Sequence, residues 1–247
     1  MPTIAIGDIH GNLAALSDLL EQLAVRIDAQ DTVVFLGDYI DRGPDARGCI
    51  ARILDFKSSF RGKVVTLAGN HEDWLLRTFR DPTRHSWILG MDAFPTIASY
   101  SSAVAERLRS AIEALGPTVV TECHELPYGE FVDELPEEHL AFLAELKPYY
   151  RVENTVFVHG GVALNALPVE QQAKETLLWG ADGFPEEYEG PDLVVYGHRD
   201  NAVLDADGWP MPRFSDCAMG LDTISHGVLS AVELPSGEIV QSARHDV

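Results

Sequence analysis

Five short, largely apolar runs in this chain each stop at, or one residue before, a glycine or histidine, and residues able to bind metals or move protons follow closely. Thr3-Ile4-Ala5-Ile6 leads into Gly7-Asp8-Ile9-His10-Gly11-Asn12. Thr32-Val33-Val34-Phe35-Leu36 leads into Gly37-Asp38-Tyr39-Ile40-Asp41-Arg42-Gly43-Pro44, and Lys63-Val64-Val65-Thr66-Leu67 into Ala68-Gly69-Asn70-His71-Glu72. Thr155-Val156-Phe157-Val158 ends at His159-Gly160-Gly161, and Leu193-Val194-Val195-Tyr196 at Gly197-His198. Short apolar runs bounded by turn formers read as buried strands. Helical spacing fills the gaps: Leu13, Leu16, Leu19, Leu20, Leu23 and Ile27 after an Asn12 N-cap, then Ile50, Ile53, Leu54 and Phe56 over 46–57, then Trp74, Leu75, Leu76 and Phe79. This alternation predicts an α/β fold with parallel strands and helices packed on them. Ligand sites in such sheets lie beyond the carboxyl ends of the strands, where all five clusters would meet.

Residues 81–150 break the alternation, with helical patterns around Ala103–Leu115 and Pro136–Leu146 and no clear strand. They read as a mainly helical insertion covering one edge of the site, within a single domain over 1–247. Two β-rich runs between Gly220 and Gln241 flank Pro235-Ser236-Gly237 and predict a hairpin. Ala181–Pro191, acidic and rich in Gly and Pro, predicts an exposed loop. With 247 residues, 46% of them hydrophobic, the chain can bury a sizeable core. Its three cysteines, Cys49, Cys123 and Cys217, are scattered and suit small buried positions in a reducing cytosol rather than a disulfide framework. No apolar run approaches the roughly 20 residues needed to span a bilayer. No basic region precedes an apolar stretch at the N-terminus either, so a cytoplasmic protein without membrane contact is expected. A net charge of −21 without a basic cluster disfavours nucleic acid as a partner. It also means that any anionic substrate needs a local reversal of the field.

Of nine histidines, His10, His71, His159 and His198 fall in strand-end turns; His226 is intermediate. His85, His124, His139 and His245 read as ordinary structural or surface residues. Oxygen and imidazole donors without thiolates suit divalent manganese, iron or zinc. Asp8 and His10, alternating along an extended segment, would point to one side. Six candidate ligands, Asp8, His10, Asp38, Asn70, His159 and His198, exceed one substrate-binding ion and divide over two, with a carboxylate such as Asp38 bridging. Two such ions clamp the attacking and leaving oxygens of a hydrolysis and supply the missing positive field.

Together these motifs resemble the bacterial branch of the phosphoprotein phosphatase (serine/threonine-protein phosphatase) family, within the calcineurin-like metallophosphoesterase superfamily. The resemblance extends through Leu177-Leu178-Trp179 to Gly220-Leu221-Asp222-Thr223. It implies a four-layer α/β sandwich, two mixed sheets flanked by helices. It implies two divalent ions, manganese foremost with iron, zinc or magnesium open. Asp8, His10 and Asp38 would hold the first, and Asp38, Asn70, His159 and His198 the second. His71 resembles the family's general acid, Asp41 its orienting partner, and Arg42 a binder of phosphoryl oxygens, with Asn70 also facing the substrate. The implied substrate is a phosphorylated protein or a small phosphate ester. Glu72, where symmetrical dinucleoside tetraphosphate hydrolases usually carry aspartate, leans toward the protein-phosphatase branch, as does the presence of Asp41; the symmetrical hydrolase is the alternative.

The chain departs from the family in two places. Ala181 stands two residues after Trp179, where bacterial relatives place a phosphate-binding arginine. Arg199-Asp200-Asn201 follows Gly197-His198 in place of the usual Thr-x-Pro. Arg199 is a candidate substitute for the missing guanidinium, against a plain reading as a surface arginine paired to an acidic neighbour. Ala181 also motivates a third reading, a non-catalytic regulator that keeps its metal site, although such a protein needs no acid at His71.

Overall fold

The strand β2, Thr32–Phe35, shows why this chain makes two sheets rather than one. Its alternate side chains are buried on both faces: Val33 and Phe35 join one apolar cluster and Val34 another. A strand buried on both sides needs a layer on each. The computed structural model describes residues 2–165 and 167–246.

The first sheet contains β1 (Thr3–Ile6), β2, β3 (Lys63–Thr66), β11 (Ser230–Leu234) and β12 (Glu238–Gln241), in the order β12-β11-β1-β2-β3. The pairs β1–β2 and β2–β3 are parallel, whereas β11 runs antiparallel to β1 and closes a hairpin with β12. The second sheet contains β4 (Tyr149–Val152), β5 (Thr155–Val158), β6 (Leu193–Tyr196), β9 (Arg213–Phe214) and β10 (Ala218–Gly220), in the order β4-β5-β6-β10-β9. A small ribbon, β7 (Val203–Leu204) with β8 (Pro210–Met211), stands apart from both. Ala5, Val34, Leu36, Val65, Phe157, Val195, Leu221 and Val232 fill the space between the sheets. Outside the first sheet pack α1 (Leu13–Ala24) and α2 (Ala46–Ser59), and α3 (Asn70–Arg80) adds Leu75 to the same core. Outside the second, Val156, Val158, Val194 and Tyr196 pack on Leu177 of α10 (Lys174–Trp179) and on Phe184 and Tyr188. The predicted arrangement of two mixed sheets flanked by helices is the observed one.

Several local expectations change. The run predicted to Ile27 stops as helix at Ala24, and α3 begins at Asn70, so the third polar cluster is the first turn of a helix rather than a loop before one. Residues 86–145 form six helices, α4 (Ser86–Gly90), α5 (Phe94–Tyr100), α6 (Ser102–Leu115), α7 (Thr118–Thr121), α8 (Tyr128–Val132) and α9 (Glu137–Glu145). Strand β4 then begins at Tyr149, inside the region predicted to lack strands, because its only ladder partner is the antiparallel β5. The 181–191 segment is not wholly exposed: Phe184 and Tyr188 are buried anchors of the outer core. Of the cysteines only Cys49 is buried; Cys217 is half-buried and Cys123 exposed.

Candidate metal and catalytic centre

The parallel strands of both sheets end at one place, and the turns after them are locked together by backbone hydrogen bonds. Ile9 and His10 donate to the Asp38 carbonyl at 3.1 and 2.8 Å, Gly11 donates to Tyr39 at 3.0 Å, and Gly43 donates back to His10 at 3.0 Å. Among non-glycine residues with positive φ, His10 (45°), Asp38 (49°), Asp41 (69°), Arg42 (65°) and His198 (71°) all belong to this centre. Left-handed backbone is costly for residues with a Cβ and persists where surrounding structure enforces it, which is typical of functional sites. Positive φ at His10 also corrects one expectation: the turn, not alternation along a strand, aims this ring.

Asp38 is the hub. Its Oδ2 lies 3.5 Å from His10 Nε2, 3.3 Å from His159 Nε2 and 3.7 Å from His71 Nε2. Two triads share it, His10–Asp38–His71 and Asp38–His159–His198, with ligating atoms within 4.8 Å of one another. The other candidates flank these triads. Asp8 Oδ2 accepts the His198 N–H at 2.8 Å, and its Oδ1 stands 3.9 Å from His159 Nδ1. Asn70 Oδ1 lies 2.8 Å from His159 Nε2 and 2.9 Å from His198 Nδ1. All six are in one cluster.

These residues suit metal ions on four grounds. Asp8 Oδ1, His10 Nε2 and Asp38 Oδ2 are buried with no hydrogen-bond partner among the described residues, an arrangement that is expensive unless an ion completes it. His10 Nδ1 donates to the Ile40 carbonyl at 3.0 Å and His159 Nδ1 to the Leu36 carbonyl at 3.1 Å, so each presents the Nε2 lone pair inward. Burial pushes His10 and His198 down to about 3, keeping both imidazoles neutral. Burial opposes the charge on Asp38, but His159 and then His71 hold its carboxyl well below the usual range. The donor set is oxygen and imidazole, as divalent first-row metals prefer.

His71 has a different partner. Its Nδ1 lies 2.7 Å from Asp41 Oδ2, leaving Nε2 toward the cluster. Burial works against its charge, yet Asp38 and then the bond to Asp41 outweigh it and carry His71 up to about 9. Arg42 is exposed at the rim and forms no ion pair among the described residues. Arg199 is exposed too, with Nη2 3.5 Å from the Trp179 carbonyl, and Trp179 stacks edge-on against His198 at 5.2 Å. Among the described residues Arg199 has no acidic partner, the one expected in its plain reading: Asp200 pairs with His226 at 3.0 Å instead.

Two carboxylates at the centre, Glu72 and Asp222, lie in the motifs but have no structural role assigned by them. Glu72 Oε2 accepts the Asp38 and Gly69 N–H groups at 3.0 and 2.9 Å, and Oε1 accepts those of Tyr39 and Ile40 at 2.8 and 3.3 Å. One side chain thus ties the start of α3 to the Asp38 turn. Asp222 is buried after β10, where burial pushes it up to about 7. The motif Gly220-Leu221-Asp222-Thr223 signalled it, but only as a resemblance.

Comparison with known proteins agrees with this geometry. Residues 1–213 match the family model described as calcineurin-like phosphoesterase. Serine/threonine-protein phosphatase 1 of Salmonella typhimurium is 34% identical over 105 residues, 42% of this chain and 45% of that one, so the chain spans under half of that relative. The asymmetrical bis(5'-nucleosyl)-tetraphosphatase PrpE of Bacillus cereus is 27% identical over 95% of this chain and 91% of its own length. A solved structure assigned as a candidate diadenosine tetraphosphatase superposes over 100% of this chain and 95% of its own, with a TM-score of 0.62 at 21% identity. The chain belongs to the calcineurin-like phosphoesterases, metal-dependent hydrolases of phosphate esters.

Proposed function

We propose that this protein is a phosphomonoesterase acting on phosphoserine or phosphothreonine, with the whole chain forming one catalytic domain that works in the cytoplasm. The observation that carries this reading is the His71–Asp41 pair beside the Asp38 hub. An alkoxide leaving group needs a proton in the transition state, and a positioned imidazole supplies one. A nucleotide leaving from a polyphosphate is a far weaker base and needs it less.

Asp8, His10 and Asp38 would hold one divalent ion, and Asp38, Asn70, His159 and His198 a second, with manganese the first to test. Such ions supply a nucleophilic water at neutral pH and neutralise charge on the phosphoryl oxygens. The residues supply the rest. His71 keeps its Nε2 proton aimed at the leaving oxygen while Asp41 holds Nδ1. Arg42 offers a planar fork to two phosphoryl oxygens from the rim. Arg199, beside Trp179, stands in for the arginine missing at Ala181.

A second reading has its own support: the relative that matches along nearly its full length is named as a dinucleoside tetraphosphatase. Phosphate release by the manganese-loaded protein from p-nitrophenyl phosphate and a phosphoserine peptide should be removed by Asp38→Asn. No turnover with manganese, iron, zinc or magnesium would overturn the proposal. Faster cleavage of diadenosine tetraphosphate than of the phosphopeptide would replace it with the second reading. The product pair, two ADP or ATP with AMP, would then distinguish symmetrical from asymmetrical cutting.

A further inference from the structure

The segment between residues 86 and 145 touches the centre at Asn70 through Met91, at the Arg42 N–H through the Asp92 carbonyl, and most closely at the Asp41 carboxylate. Asp41 is fully buried, and both of its oxygens are held. Oδ2 accepts Trp87 Nε1 at 2.9 Å beside the 2.7 Å contact to His71. Oδ1 accepts the Thr96 hydroxyl at 2.7 Å, and that hydroxyl accepts the Asp41 backbone N–H, also at 2.7 Å. An ionised carboxylate only accepts, so the proton in the Thr96 bond is the hydroxyl's own. Indole N–H only donates, which fixes Trp87 as well. Neither side chain is free to wander. Trp87, fully buried on α4, stacks on Phe131 of α8 at 5.7 Å and 19°, and Phe131 packs on Tyr100 and Phe79.

A carboxylate pinned by one donor turns freely about its last torsion, which is broad and two-fold. Donors on both oxygens remove that freedom. We propose that Trp87 and Thr96 are positioning residues for proton transfer: by clamping Asp41 they fix the direction in which His71 Nε2 delivers its proton. The 86–145 helices are on this account part of the catalytic machinery rather than a cover over it. The inference rests on the phosphoesterase reading above. In the step concerned, water adds to phosphorus and the P–O bond to the alcohol breaks with its electron pair. The departing oxygen takes the Nε2 proton, and a proton from the water returns to His71 through solvent.

Leaving-group dependence separates this role from a structural one. The 2,4-dinitrophenolate ion departs without a proton, whereas phenolate and serine alkoxide need one. In the manganese-loaded protein, Trp87→Phe keeps the stacked ring and loses one donor, while Thr96→Val keeps the shape and loses both the donor to Oδ1 and the acceptor of the Asp41 N–H. Each should lower kcat about tenfold on phenyl phosphate and a phosphoserine peptide, and less than about twofold on 2,4-dinitrophenyl phosphate. KM should stay unchanged, and Thr96→Ser should restore the rate. In a His71→Asn background Thr96→Val should cost nothing further. Equal losses across the leaving groups, no loss at all, or additive losses with His71→Asn would each overturn the clamp. Wild-type protein that hydrolyses none of the three esters would instead remove the reading beneath it.

Discussion

Glu72 holds Asp38 through its main chain: Oε2 accepts the Asp38 N–H at 3.0 Å while Oε1 takes the next two amides of the same turn. The side chain also reaches back to the Gly69 N–H that precedes α3, the returning half of a capping box. An aspartate is one methylene shorter and cannot span both turns. This gives a physical meaning to the glutamate that the sequence offers only as a branch marker.

Glu72→Gln keeps the volume but turns an amide nitrogen toward amide donors. We expect it to lower stability by about 2–4 kcal/mol, since buried N–H groups lose their acceptor. Urea denaturation of the metal-free protein measures this, and an unchanged midpoint would show that the turn holds itself.

Metal removal should matter more at high pH than at low. Burial, then Asp222 and Asp38, push Asp8 well above its ordinary value, and Asp222 itself rises to about 7. A carboxyl with a raised folded pKa takes up its proton in the folded metal-free protein before the unfolded chain does. Acid therefore relieves the crowded carboxylates, and an ion must displace those protons to bind. The manganese-induced rise in Tm should be larger at pH 8 than at pH 6. A rise independent of pH would detach these carboxylates from metal binding.

Gly197 leaves the space in which the Asp8 carboxylate stands. A Cβ there would lie 1.9 Å from Asp8 Oδ1. Gly197→Ala should displace the carboxylate and weaken manganese binding about 10–100-fold, the usual cost of disturbing a ligand's support. Calorimetric titration with manganese would read this directly, and an unaltered affinity would remove Asp8 from the ligands.

The two rim arginines should differ in weight. Arg42→Ala should reduce kcat/KM for phosphate esters about a hundredfold, the scale of one lost transition-state donor. Arg199→Ala should cost about tenfold, since its guanidinium adapts from a neighbouring loop rather than a family position. Metal content should stay constant in both, checked by elemental analysis. Equal kinetics for Arg199→Ala would return that residue to the surface.

The strand–helix alternation and the six ligand candidates were legible because short apolar runs stop at turn formers and the carboxyl ends of parallel strands meet by topology; the two-sheet sandwich followed only from the family resemblance. What escaped was set by contacts distant in sequence. Strand β4 at Tyr149 follows six helices and is recognised only by its antiparallel pairing with β5. Trp87 and Thr96 lie 46 and 55 residues from the carboxylate they hold, in helices without a motif. Cys123 reads as apolar as Cys49, yet one is exposed and the other sits on the buried face of α2. Local patterning gives the strand ends their chemistry; packing decides which helices reach them.

If His71 protonates the leaving alcohol at a metal centre built around Asp38, as proposed, removing its ring should slow the chemical step and spare the metal. Phosphate release from a phosphoserine peptide by wild-type protein and by His71→Asn, compared at equal manganese content, reads this. His71→Asn should lose about 10²–10⁴-fold in kcat with the metal retained. Equal rates in the two proteins would show that His71 is not the acid.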